Sequence, residues 1–171
     1  QPFFEHLFCI MTGIIKEKQK IKELFNNLES FYLGNKSDNL YFALLGDCTE
    51  ENVKVKDEDY EVISTGLDIC EKLNEKYKTD KFNTFHFLYR ERIWNSQENS
   101  YIGWERKRGF LSTFNKYIKN KLENDFLENT IEKQKDILPD IKYIITLDSD
   151  TNLNLNTASK LIGAMSHILN I

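Results

Sequence analysis

The chain has 171 residues and a formal net charge of −4, with a pI near 5.5. Hydrophobic residues make up 40% of it and charged residues 29%, a balance that supports a folded core and argues against wholesale disorder. The acidic charge argues against a general nucleic-acid-binding protein, which would carry a basic stripe. The longest apolar stretch, residues 7–15, is far shorter than the roughly 20 residues of a transmembrane helix. We expect one soluble domain over residues 1–171, without nucleic-acid or membrane contacts of its own.

Three cysteines, Cys9, Cys48 and Cys70, are widely separated and form no CxxC pair. An odd, scattered set argues against a disulfide framework or a zinc knuckle and favours free thiols in a reducing compartment. The first residues lack the pattern of a signal peptide. Because the chain starts Gln1-Pro2 without a methionine, we expect a fragment of a larger protein.

Apolar runs predict four strands, at residues 7–11, 40–45, 84–89 and 142–147. Each is followed by apolar residues at helical spacing, which predict helices within residues 21–32, 60–77, 111–118 and 158–169. Residues 94–109 are predicted as a polar connection, residues 119–137 as a solvated helix or loop, and His86 as a core residue. Strands alternating with helices imply right-handed crossovers and a mostly parallel sheet. The predicted fold class is therefore α/β, a Rossmann-like three-layer sandwich.

Polar residues follow each predicted strand directly: Thr12, Asp47, Arg90 with Arg92, and the pair Asp148 and Asp150. In a parallel sheet the carboxyl ends of the strands meet at one edge, and ligands bind beyond that edge where the strand order reverses. We therefore expect these four strand ends to converge and to carry the chemistry of the protein.

The sharpest local motif is IITLDSDTNL, in which a hydrophobic strand delivers Asp148 and Asp150 into a loop. Mg²⁺ and Mn²⁺ prefer oxygen ligands and keep positions for phosphate oxygens and water, so this pair suits a metal-diphosphate. The pair is equally suited to capping the next helix. Phosphatases with an aspartyl-phosphate nucleophile also place D-x-D after a strand, but their motif expects Thr or Val where this chain has Asn152.

A second motif is WNSQENSYIGWERKRGFLSTFN, which combines two tryptophans with a basic run and Gly109 ahead of a predicted helix. Cations beside a helix start can hold phosphate, and a glycine lets the backbone come close to it. The alternative is a charged surface turn anchored by Trp94 and Trp104. Asp47, likewise, either contacts a nucleoside or begins a turn.

Three segments in this order resemble the glycosyltransferase domain of cyclic β-1,2-glucan synthases: LYFALLGDCTE, FHFLYRERIWNSQENSYIGWERKRGFLSTFN and YIITLDSDTNLNLNTASKLIGAMSHILN. The similarity extends over about residues 7–170, and the WERKRG and TLDSDT blocks are its most specific parts. The resemblance implies a partial GT-A fold and an inverting glucosyltransferase that uses UDP-glucose with a divalent metal, Mg²⁺ or Mn²⁺.

The resemblance also implies roles at matching positions. Asp148 and Asp150 fall on the family's D-x-D, which implies metal coordination by both and a ribose or diphosphate contact for Asp148. Asp47 falls where related GT-A enzymes place an aspartate against uracil. Thr12 falls in the loop that lines the uridine pocket, although this chain has Met11 where the family usually has proline.

Lys107 and Arg108, together with Gly109, match the basic stretch that the resemblance places near the nucleotide-sugar. Trp104 and Glu105 match the same block without an assigned role. The general base of such enzymes lies on a later segment, so we expect it beyond Ile171. These 171 residues are then the donor-binding half of the domain and inactive alone.

In the parent protein the resemblance implies a glucan acceptor and a location on the cytoplasmic side of the inner membrane. The alternative function is a non-catalytic one: a nucleotide-sugar-binding module or a degenerate Rossmann-like fragment. Metal-dependent binding of UDP separates the two hypotheses.

Overall fold

The computed structural model describes residues 6–80, 82–120, 126–150 and 156–165. Within these ranges the strands are β1 (His6–Ile14), β2 (Leu40–Asp47), β3 (Phe85–Arg90), β4 (Ile93–Asn95), β5 (Ser100–Ile102), β6 (Phe126–Asn129) and β7 (Ile141–Asp148). The α-helices are α1 (Lys18–Gly34), α2 (Asp57–Lys76), α3 (Arg106–Asn120) and α4 (Thr157–Met165), and a 3₁₀ segment covers Thr130–Asp140. The predicted alternation of strands and helices is confirmed.

The main sheet has the strand order β6-β3-β2-β1-β7. Strand β1 pairs in parallel with both β2 and β7, and β3 pairs in parallel with β2. Among the strands of this sheet that the structure describes, β6 alone runs antiparallel, against β3. The strand order reverses at β1, because β2 and then β3 lie on one side of β1 and β7 lies on the other. The crevice between β1 and β7 is therefore the switch point at which such sheets bind ligands.

Apolar side chains pack on both faces of the sheet, which makes three layers. In the buried strand β2, Phe42 and Leu44 pack with the apolar faces of α1 and α2. The alternate residues Tyr41, Ala43 and Leu45 pack with α3 on the opposite face. This alternation follows from the two-residue period of a strand. The structure thus has the predicted Rossmann-like sandwich, with helices covering a mostly parallel sheet.

Two predicted connections contain additional structure. Residues 94–109 overlap the hairpin formed by β4 and β5. The prediction of a solvated segment over residues 119–137 is wrong in part, since it contains β6 and the start of the 3₁₀ segment. There, Phe126 is 7% exposed and Ile131 is fully buried. Single apolar residues in a charge-dense run are a weak local signal, and contacts with α3 and the sheet decide their burial.

Some predictions fall outside the described residues, namely those on Thr151, Asn152 and Leu169 and on the side chain of Cys9. The cysteines Cys48 and Cys70 are buried free thiols. None of the helices in the described ranges has both the length and the apolar character that crossing a membrane demands.

On the side of β3 that faces away from β2, β6 pairs with β3 only over Leu88–Arg90. Along the first half of β3, side chains take the place of a neighbouring strand on that side. The Asn74 amide donates to the Phe85 carbonyl at 2.8 Å and accepts from the Phe85 N–H at 2.8 Å. The Thr130 hydroxyl accepts from the Phe87 N–H at 2.9 Å. Together they supply the backbone hydrogen bonds that a neighbouring strand would otherwise make.

His86 is buried in β3, as predicted, with its ring edge-on to Phe8 and its Nε2 3.0 Å from the Asn83 carbonyl oxygen. Burial lowers the pKa of His86 from 6.5 to about 4, and the bond to Asn83 only partly opposes this. Between these two values the unfolded chain binds a proton that the folded chain does not, so stability is lost as the pH falls.

We expect the unfolding free energy to drop by roughly 3 kcal/mol from this site as the pH falls from 6.5 to 4. Urea denaturation across this pH range measures the loss, and the His86→Asn variant, which carries no titrating ring, is expected to have a shallower dependence. An equal slope in both proteins would contradict the assignment.

Candidate functional site

Four predicted residues lie at one edge of the sheet, where the parallel strands end. Thr12 of β1 pairs in register with Asp148 of β7, and Asp47 of β2 pairs with Ile14. Arg90 ends β3 beside β2. We call this the carboxyl edge. Neighbouring strands lie about 4.8 Å apart, and Asp47 lies two residues farther along the strand direction than Asp148, so these two residues on either side of β1 lie about 12 Å apart.

Asp47 is buried against a guanidinium rather than placed in an open turn. It is 6% exposed, its Oδ1 lies 3.1 Å from Arg90 Nε, and the same oxygen accepts the Cys48 N–H at 2.9 Å. Burial raises the pKa of Asp47 above its ordinary value, although Arg90 and the Cys48 hydrogen bonds act in the opposite direction. The carboxylate is therefore a fixed, partly compensated charge, which is the kind of group that active sites keep.

Arg90 connects this carboxylate to the chain ahead of α3. Its Nη2 donates to the Trp104 carbonyl at 2.8 Å and its Nη1 to the Arg106 carbonyl at 2.9 Å. The guanidinium also lies over the Phe110 ring, 5.1 Å from its centroid. Because Arg90 is only 5% exposed, these contacts are made in a largely water-free setting and fix the loop in place.

The loop that Arg90 holds has an unusual backbone. Glu105 and Arg106 both have positive φ, 48° and 47°, which costs energy for residues with a side chain. A Cβ on Gly109 would lie 1.9 Å from the Trp104 carbonyl oxygen. Gly109 thus lies within the first turn of α3 and makes room for Trp104, whereas the sequence placed it ahead of the helix as a point of approach for a phosphate.

The two predicted motifs meet at the switch point. The Lys107 ammonium, in the first turn of α3, contacts Asp148 Oδ1 at the end of β7. Arg108 instead pairs with Glu105, with Nη2 and Oε2 2.8 Å apart, and its side chain is 82% exposed. Asp150 is exposed just beyond β7. The structure therefore brings Lys107 to the D-x-D pair and leaves Arg108 in a surface ion pair.

The donor set at Asp148 and Asp150 suits a hard divalent cation. Both residues are exposed and offer carboxylate oxygens, the ligands that Mg²⁺ and Mn²⁺ prefer. Within the described ranges no group of three or more His, Cys, Asp or Glu residues is placed to hold a metal. Two carboxylates fit a metal that takes its remaining ligands from diphosphate oxygens and water.

A cleft of about 680 Å³ opens beside Asp47 at the carboxyl edge. Its lining includes Asp47 and Thr49 from the end of β2, Ile14 from β1, and Ile102 and Trp104 from the chain ahead of α3. The cleft and the Asp148 corner share the first turn of α3, since Arg106 lines the cleft and Lys107 contacts Asp148. Asp148 and Lys107 do not line the cleft themselves, so the acidic Asp148 corner lies next to the cleft, at the same edge of the sheet.

No protein-family model matches the chain. Among curated proteins, 162 residues, or 94% of the chain, align at 32% identity with the cyclic beta-(1,2)-glucan synthase NdvB of Rhizobium meliloti (strain 1021). The chain is homologous to a segment of a cyclic β-1,2-glucan synthase. The aligned part spans about 6% of the length of NdvB. The homology confirms the resemblance and supports a glycosyltransferase-related domain.

In this glucan synthase homologue, two buried arginines have roles that the sequence motifs do not predict. The sequence predicts Arg90 and Arg92 at the converging strand ends but no partner for either of them, and Arg92 is 1% exposed. Its Nη2 lies 2.9 Å from Asp59 Oδ1, its Nη1 contacts the other oxygen, and its Nε donates to the Thr49 carbonyl at 2.6 Å. The available signal was a pair of arginines, with one residue between them, at the end of a buried strand.

The Arg92 contacts support one wall of the cleft. Asp59 also accepts the Lys56 N–H at 2.9 Å at the start of α2, and the Tyr89 hydroxyl donates to it at 3.1 Å. Burial alone would raise the pKa of Asp59, but the bonds from Arg92, Lys56 and Tyr89 outweigh it and the pKa lies below the ordinary value. Arg92 therefore ties α2 and the chain after β2 to the base of the hairpin.

Proposed function

We propose that the chain is the donor-binding part of a glucosyltransferase domain, which binds UDP-glucose and a divalent metal at the carboxyl edge. The observation that carries the proposal is the contact of Lys107 with Asp148 at the switch point. It joins the basic segment and the D-x-D pair, two motifs 41 residues apart in sequence, at one place. The homology to a named glucan synthase supports the same function.

Asp148 and Asp150 would hold the metal in this function. A bound Mg²⁺ or Mn²⁺ supplies a Lewis acid that neutralises negative charge on a leaving diphosphate. Lys107 would then release Asp148 and turn its ammonium to a phosphate oxygen, a position that a flexible four-carbon side chain can reach. Asp47 would accept from the uracil. Thr12, which the resemblance assigns to the uridine pocket, pairs in register with Asp148 and would contact the nucleotide-sugar nearer the diphosphate.

The reaction proposed for the parent protein is a single displacement at the anomeric carbon of the donor, with a glucan hydroxyl as the nucleophile. In this proposal the general base belongs to a later segment of the parent protein, beyond Ile171, and the residues of this chain bind the donor and orient its leaving group. The parent's location on the cytoplasmic side of the inner membrane belongs to the same proposal. Release of UDP from UDP-glucose by the purified chain, above a heat-killed sample, would contradict its inactivity alone.

The first test is a calorimetric titration of UDP in the presence of Mn²⁺, repeated with EDTA. We expect binding with the metal and loss of binding in EDTA. The Asp150→Ala variant is expected to bind UDP at least about 10-fold more weakly in Mn²⁺, because a metal ligand is lost. A matched control is Asp68→Ala, which removes an exposed carboxylate on α2 that pairs with Lys72.

Equal binding by the Asp150→Ala variant and the unaltered chain would contradict the metal role of the D-x-D pair. A folded chain that does not bind UDP with Mn²⁺ would favour the non-catalytic alternative. Circular dichroism of each variant shows whether the chain is folded.

A further inference from the structure

We propose that Trp104 is the aromatic wall of the cleft and stacks on the pyrimidine base of the nucleotide-sugar. This inference rests on the proposed function and extends it, because it assigns a ligand contact to a residue that neither the motif analysis nor the homology explains. The base is bound between the Trp104 indole and the Asp47 end of the cleft, and the diphosphate extends toward Asp148.

Trp104 is placed where a bound ligand can reach it. It lines the cleft together with Asp47 and is 45% exposed, although a tryptophan gains stability from burial. Ile14, also exposed at 47%, and Ile102 add apolar surface to the same cleft. The rest of the lining carries exposed charged residues, and an apolar, aromatic surface beside one buried carboxylate is typical of a small-molecule site.

Tertiary contacts fix the backbone at Trp104, although the residue lies in a surface loop. Its carbonyl oxygen accepts from the buried Arg90 and fills the space that a side chain on residue 109 would occupy. The next two residues, Glu105 and Arg106, keep their positive φ values within this framework. Strained backbone persists only where the surroundings fix it, and such places are often ligand clamps. A fixed indole loses little conformational entropy when a ring stacks on it.

The groups at the site indicate which kind of ligand ring would bind against Trp104. A pyrimidine base is flat, presents a π face to the indole, and carries an N–H edge that a carboxylate such as Asp47 accepts. The proposed phosphate-binding groups, Lys107 and Asp148, lie at the other end of the site, and Asp148 is about 12 Å from Asp47 across β1. A nucleoside diphosphate has this order of parts, with the base at one end and the charged groups at the other.

The test compares UDP with inorganic pyrophosphate as probes, both with Mg²⁺, in the full chain. Stacking of a base on an aromatic side chain predicts that Trp104→Ala weakens UDP binding between about 5-fold and about 150-fold. Trp104→Phe is expected to recover most of the affinity, and pyrophosphate is expected to bind the Trp104→Ala variant and the unaltered chain equally. The matched control is Trp94→Ala: Trp94 is 50% exposed and packs on Tyr101, outside the described lining of the cleft.

A second measurement uses the fact that the chain has two tryptophans. In the Trp94→Phe variant Trp104 is the sole source of tryptophan fluorescence, and UDP is expected to change its emission while pyrophosphate is not. This measurement also decides the question if Trp104→Ala fails to fold.

Several results would overturn the inference while leaving the proposed function in place. These are unchanged UDP affinity in Trp104→Ala, equal losses in the Ala and Phe variants, a parallel loss of pyrophosphate binding, or unchanged Trp104 emission at saturating UDP. Failure of the unaltered chain to bind UDP would instead remove the proposed function and this inference together.

Discussion

Replacing Arg92 by methionine is expected to lower the free energy of unfolding by about 3–5 kcal/mol. The methionine fills much of the space of the arginine, but Asp59, which is 2% exposed, stays behind without its guanidinium. A buried carboxylate that loses its counter-ion carries the full cost of desolvation. The Thr49 carbonyl loses its hydrogen bond from Nε as well. Urea denaturation followed by circular dichroism measures the change.

The control for Arg92 is Arg108→Met, which breaks the ion pair with Glu105 on the surface of α3. Exposed pairs contribute up to about 1 kcal/mol, so this variant is expected to unfold near the midpoint of the unaltered chain. The double variant Arg92→Met, Asp59→Leu removes both buried charges and is expected to recover part of the loss. A loss below 1 kcal/mol for Arg92→Met would show that Asp59 finds compensation elsewhere.

Replacing Arg90 by methionine is expected to have an effect of similar size, about 3–5 kcal/mol, with a distinctive pH dependence. Asp47 then remains buried without the charge that opposes the rise of its pKa. A carboxyl with a raised pKa takes up a proton more readily in the folded chain than in the unfolded one. Its penalty is therefore largest at neutral pH and shrinks as the pH falls.

We expect the stability deficit of Arg90→Met to be smaller at pH 5 than at pH 7, as measured by urea denaturation at both values. Arg108→Met is the control, because the exposed Arg108 side chain pairs with Glu105 and is not among the charges that act on Asp47. A deficit that is constant with pH would mean that lost packing on Phe110, and not the Asp47 charge, accounts for the change.

The parallel sheet could be predicted from sequence because each of its four parallel strands is a compact apolar run followed by polar residues. Strand β2 is the clearest case: residues 40–47 are all buried, and the sequence LYFALL shows this directly. Strands β4, β5 and β6 have three or four residues each and mix polar with apolar side chains. The pairing of β4 with β5 and of β6 with β3 decides their structure, and no periodic apolar pattern in the sequence indicates either pairing.

The candidate site also has a part that the sequence predicts and a part that depends on tertiary contacts. Thr12, Asp47 and Asp148 could be placed at one edge because strand ends are visible in sequence and parallel strands share a direction. The pairing of Asp47 with Arg90 and the burial of Arg92 could not, because a strand-terminal arginine is usually exposed and only tertiary contacts show otherwise. The position of Trp104 depends in turn on Arg90 and on the absent side chain of Gly109.

The bidentate Asn74 contact on β3 has a consequence for how copies of this chain meet one another. An uncovered run of backbone donors and acceptors is a template onto which a strand from another molecule can add, and this leads to aggregation. Here the amide of Asn74 and the hydroxyl of Thr130 already make hydrogen bonds with the backbone groups of Phe85 and Phe87 that an added strand would use. The short β6 therefore does not leave the first half of β3 open to intermolecular strand addition.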